Sequence, residues 1–115
     1  MDLTGKWKYK EDYGFGIAEG ELYLKQEGDI LSGKIVFTDK LEDEEPYMIQ
    51  EFLTGRVEDD EIELIAEEYD IIHSDFPVHY ELDTWAGNII DEKTITGFSM
   101  DDQGIEGKFE FVRMC

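Results

Sequence analysis

The sequence predicts an all-β protein, a single antiparallel up-and-down barrel of eight strands, with residues 1–115 forming one domain. Three observations point to it. Eight runs of strand-forming residues follow one another with short, turn-rich links between them, the spacing of hairpins rather than crossovers. Helical periodicity is poor along the whole chain. A pattern of the form x-Gly-x-hydrophobic recurs as "TGKW", "EGEL", "SGKI", "TGRV", "AGNI" and "EGKF", with "TGFS" close to it. Glycine inside a strand weakens it, so the repeat needs a reason, and the sharp coiling of a small closed barrel supplies one. Eight is also the strand number whose interior just fits side chains or one small ligand.

Side chains alternate along a strand, so the parity of each glycine sorts its run into an inner and an outer face. In the first run, 4–12, Gly5, Trp7 and Tyr9 share a face, and Lys6, Lys8 and Lys10 take the other. The second, 17–27, turns Gly20, Leu22, Leu24 and Gln26 inward and Glu19, Glu21, Tyr23 and Lys25 outward. The third, 30–38, turns Leu31, Gly33, Ile35 and Phe37 inward. The link "DKLEDEEP" then leads to the fourth run, 47–57, where Ile49, Leu53 and Val57 share a parity with Glu51. A bulge that turns Glu51 outward is the preferred reading there, because an unpaired carboxylate inside a barrel is costly. Met48 and Phe52 fall outside, where Phe52 would suit a contact in a homodimer; monomer and homodimer both fit.

The fifth run, 61–72, has acids that could line a helix, but "IELIAEEYDII" suits a strand, and it alone lacks a glycine. In the sixth, 78–90, Tyr80 and Leu82 have one parity and Trp85, Gly87 and Ile89 the other. A bulge near Asp83–Trp85 would bring both sets inside. The seventh, 94–100, carries Gly97. The eighth, 105–114, turns Ile105, Gly107, Phe109, Phe111 and Arg113 inward, with Glu106, Lys108 and Glu110 outside. An inward arginine needs satisfaction. When a barrel closes, its first and last strands are neighbours, so the Trp7 face and nearby carbonyls are the available partners for Arg113.

A Gly-x-Trp on the first strand facing an arginine on the last resembles the calycin superfamily, the lipocalins and their relatives. In that superfamily such a set closes the blunt end of the barrel, which implies a structural closure by Gly5, Trp7 and Arg113. The avidin branch is similar in further detail: "TGKW" at 4–7, "LSGKI" at 31–35, "LTGRV" at 53–57 and "TWAGN" at 84–88 fall in the same order as avidin-type motifs. The polar residues that avidins place after the first tryptophan are replaced by Lys8, Tyr9 and Lys10. Ile35 stands where the third-strand tyrosine belongs, and Trp85 alone represents the late Trp-rich strand. Biotin is therefore not the expected ligand.

Composition narrows the function. The net charge of −20 is uneven: residues 41–115 hold 22 acids against Arg56, Lys93, Lys108 and Arg113. Such a chain cannot neutralise phosphates, which argues against nucleic acid and against an anionic membrane surface. A lone cysteine, Cys115, and the lack of a long apolar run or a leader pattern lead us to expect a cytoplasmic protein. "HSDFPVH", with His73 and His79, is too sparse for a metal site, and no phosphate loop or nucleophile elbow is present. No cofactor, metal or enzymatic activity is expected. The expected function is binding of a small apolar or aromatic molecule in the barrel mouth, lined by Tyr9, Leu22, Leu24, Ile35, Phe37, Leu53, Tyr80, Trp85 and Phe109. The alternative is a fully packed barrel whose acidic surface engages a basic protein partner, as an inhibitor or immunity-type protein would.

Overall fold

Eight strands occupy the eight predicted runs to within a few residues in the computed structural model, which describes residues 2–42, 45–74, 82–101, 104 and 106–114. They are β1 Gly5–Asp12, β2 Gly16–Glu27, β3 Ile30–Leu41, β4 Tyr47–Glu58, β5 Glu61–His73, β6 Asp83–Asp91, β7 Thr94–Asp101 and β8 Glu106–Arg113. Each pairs antiparallel with the next, and β8 pairs back onto β1 to close the barrel. Among the described residues no helix is long and apolar enough to cross a membrane.

The parity argument holds for most of the interior. Trp7, Tyr9, Leu22, Leu24, Leu31, Ile35 and Phe37 are buried, as are Ile49, Leu53, Leu64, Trp85, Ile95, Phe109 and Phe111. Two details differ from the sequence reading. Glu51 faces inward, fully buried between Ile35 of β3 and Tyr69 of β5. The β4–β5 ladder does slip twice, between Met48 and Ile49 and between Phe52 and Leu53, but the extra residues, Ile72 and Glu67, belong to β5. The bulges therefore reset the parity of β5 and leave that of β4 untouched. β5 is the strand without a glycine, and the bulges give it the bend that glycines give its neighbours. The second correction concerns Asp83–Trp85. Register with β7 runs unbroken from Asp83 to Ile89, the irregularity lies between Ile89 and Asp91, and Asp83 and Trp85 point inward together. Tyr80 and Ile105 lie outside the described residues.

The glycines also serve close approach. A Cβ on Gly33 would collide with the backbone carbonyl of Tyr23 on β2, and one on Gly20 with that of Val36 on β3. Backbone cannot yield as a side chain tip can, so Gly33→Ala is expected to cost about 1–3 kcal/mol by overpacking. The urea midpoint against wild type measures it, and an unchanged midpoint would show that the strands separate freely.

One end of the barrel is clasped by the chain's own termini. The Arg113 guanidinium lies 4.4 Å from the centroid of the Trp7 ring. It donates to the carbonyls of Thr4 at 3.2 Å, Asp2 at 2.8 Å and Glu92 at 3.1 Å. The Trp7 indole N–H donates to the Leu3 carbonyl at 3.0 Å, and Leu3 is itself fully buried. Trp7 and Arg113 therefore meet at this end of the barrel, and Gly5 beside them has a φ of 142°, a backbone conformation that glycine adopts without strain.

Candidate functional site

At the other end of the barrel the interior changes from apolar to acidic. Continuing the inward parity of Trp7 and Tyr9 brings Glu11, at the end of β1, under cover. Tyr9 donates its hydroxyl to Glu11 Oε1 at 2.6 Å, and the Trp85 indole N–H donates to the same oxygen at 3.1 Å. The Ser99 hydroxyl from β7 donates to Oε2. Gly107 on β8 makes room, because a Cβ there would strike Oε2 and the ring of Tyr13. Burial raises the Glu11 pKa, opposed by those three donors. Burial also lifts the Tyr9 phenol well above its usual range, so it stays a neutral donor.

Around this network stand three more buried acids. Asp39, at the end of β3, accepts from the Tyr47 hydroxyl at 2.9 Å. Asp83 begins β6. Glu51 is the unusual member: its residue is 0% exposed, and neither carboxyl oxygen has a hydrogen-bond partner among the described residues. Burial, and then the nearby Asp83 carboxylate, push its pKa far above the ordinary carboxylate range. At neutral pH it is a carboxylic acid, since two neighbouring acids in low dielectric do not both ionise.

The structure gathers some of the predicted lining residues here and places others elsewhere. Tyr9 sits edge-to-face with Phe37, centroids 5.4 Å apart, and with Trp85 at 6.4 Å. Ile35 pairs with Glu51, and Phe109 pairs with Glu11. Leu22 and Leu24 lie opposite Trp7 and Gly5, in the clasped half, and Leu53 lies opposite Gly33 in the same direction. Tyr80 is outside the described residues. Glu11, Asp39, Asp83 and Ser99 did not figure among the predicted site residues. Their signal was available, because each extends the inward parity of its strand by two residues beyond an apolar or glycine position.

A groove of about 710 Å³ crosses the outer wall over Gly87 and Gly97, between Arg56, Glu61 and Lys108. It is open to solvent and does not reach the buried acids. Among the described residues no group of three His, Cys, Asp or Glu side chains is placed to hold a metal ion. His79 lies outside the described residues.

No protein-family model matches the chain, and no curated protein matches it in sequence. Solved structures do resemble it. A redesigned β-barrel, mFAP1, bound to DFHBI, superposes with a TM-score of 0.69 at 14% identity, over 96% of this chain and 94% of that one. The redesigned barrel mFAP0, also bound to DFHBI, gives 0.65 at 15% identity over 96% and 98%. A fluorescence-activating β-barrel designed de novo gives 0.58 at 13% identity over 97% and 94%. At these identities the likeness concerns architecture. What this chain shares with those proteins is the closed eight-stranded antiparallel barrel.

Proposed function

We propose that the protein is a non-enzymatic binding barrel whose small-molecule ligand enters at the acidic end and lies against Tyr9, Phe37 and Trp85. One observation carries this reading. A fully buried carboxyl group with no hydrogen-bond partner costs about 1–3 kcal/mol, and a fold retains such a cost where something else uses the group. Glu51 is that group. Its aromatic surroundings suit an apolar or aromatic ligand body, in keeping with the general composition of ligand sites. The redesigned barrels bound to DFHBI support the idea that this architecture can hold a small molecule. In its neutral form Glu51 is no general base at physiological pH, which favours binding over catalysis.

Native mass spectrometry of protein purified from its own host tests the reading, together with titration of an apolar fluorescent dye. A mass above that of the bare chain, or a fluorescence gain abolished by Trp85→Ala, is the expected result. A bare mass and no gain would overturn it.

A further inference from the structure

We infer that the outer face of β6 and β7 pairs two copies of this chain, through a two-fold contact centred on Ala86 and Phe98. The face lies on the outside of the wall and leaves the buried acids untouched, so it stands independently of the binding site. Outward positions of four neighbouring strands line up there in one row: Glu63 of β5, Ala86 of β6, Phe98 of β7 and Lys108 of β8. Phe98 is 59% exposed, and Met100, two residues on, is 46% exposed. Single apolar side chains scattered over a surface are ordinary. These adjoin one another, because Met100 pairs with Thr84, and Thr84 pairs with the exposed Ile65.

The partner follows from the order of the row. It reads acid, apolar, apolar, base, so its reverse is its own complement. A two-fold axis along the seam between β6 and β7 lays the row over itself turned end for end, an isologous contact. Phe98 of each copy then rests on Ala86 of the other, and Glu63 meets Lys108 at both ends. Neither Glu63 nor Lys108 has an ion-pair partner within its own chain among the described residues. The groove of about 710 Å³ over Gly87 and Gly97 runs beside Ala86 and gives the incoming ring room. In the next row the same axis sets Asn88 on Thr96, two side chains able to hydrogen-bond. A partner of one charge sign would meet its own sign at Glu63 or at Lys108, whereas a second copy satisfies both.

The contact is a weak one. Strands about 4.8 Å apart and outward rows about 6.8 Å apart make a face roughly 15–20 Å on a side, smaller than a standard interface. The axis also sets Glu61 against Glu110 at the rim, and each copy carries a net charge of −20. Both oppose association, so a dissociation constant on the order of 10–100 µM is expected. Phe52, the residue anticipated at such a contact, is half-buried on β4 opposite Lys34, on another part of the wall.

Sedimentation velocity of the full chain from about 5 µM to about 500 µM, in about 0.15 M salt, tests the inference. The sedimentation coefficient should rise with concentration toward that of a dimer. Phe98→Glu should hold the chain monomeric across the range. Phe52→Glu adds the same charge and should leave association unchanged. Lys108→Glu should weaken the dimer about tenfold, and Glu63→Lys likewise, whereas the two together should restore it to within about threefold. All these positions but Phe52 are exposed, and the thermal transition of each variant reports that it folds. A wild-type chain monomeric throughout would overturn the inference, whether the face is then bare or serves a different protein. So would a dimer that survives Phe98→Glu, or one that the double exchange fails to restore.

Discussion

Trp7→Ala is expected to lower stability by about 3–5 kcal/mol, a large share of what a domain of this size possesses. The side chain is fully buried, its N–H holds Leu3, and its ring supports Arg113. Removal leaves a cavity of indole size at the clasped end. It also takes away the surface that orients the guanidinium toward the carbonyls of Thr4, Asp2 and Glu92. Urea unfolding followed by far-ultraviolet dichroism measures the cost. A loss under about 1 kcal/mol would mean that the clasp closes without its tryptophan. Trp7→Phe should recover most of the buried area but not the Leu3 hydrogen bond, leaving a residual cost of about 0.5–1.5 kcal/mol.

The second large effect concerns pH. The pKa of Glu51 is raised in the folded protein, so its proton is held more tightly folded than unfolded. Its stabilising contribution is complete below the unfolded value of about 4.5 and is lost progressively as pH rises from there through the folded value. Each pH unit in that window removes about 1.4 kcal/mol per such group. Wild type should therefore be markedly more stable near pH 5 than near pH 7, and Glu51→Gln should flatten the difference by about 2–3 kcal/mol over those two units. Glu11 is also raised, but it is present in both proteins and cancels in the comparison. The same substitution should make the unliganded protein more stable at neutral pH, since an amide carries no proton to lose. Parallel pH profiles for the two proteins would show that Glu51 is ionised or solvated after all.

The barrel was legible because its strands are short, closely linked and marked by glycines of fixed parity. A two-residue period carries its own inside and outside, and Trp7, Leu22, Ile35 and Phe111 needed nothing more. Arg113 was legible for the opposite reason: a costly residue on the inner face demands partners, and closure places Trp7 beside it. The same reasoning about cost misplaced Glu51. A bulge was the economical way to expel an inward acid, and bulges do exist beside it, but sequence cannot say which of two paired strands takes the extra residue. In β4 and β5 that choice fell on Ile72 and Glu67. The acidic end was harder to see because its residues sit at strand ends, where parity is usually discounted as fraying into turns. Glu11 continues the parity of Trp7 and Tyr9, but its cover comes from β7 and β8, through the Ser99 hydroxyl and the space at Gly107.

The clasp between the two ends of the chain has a kinetic side. Arg113 reaches carbonyls 109 and 111 positions away in sequence, whereas every other ladder joins consecutive strands. Seven hairpins can form by local search, but the β1–β8 seam waits for the whole chain. Until it forms, both strands present bare edges, the geometry most prone to pairing with another molecule. The strong negative charge then acts as a chaperone of its own, holding unclosed chains apart while the last strand finds the first.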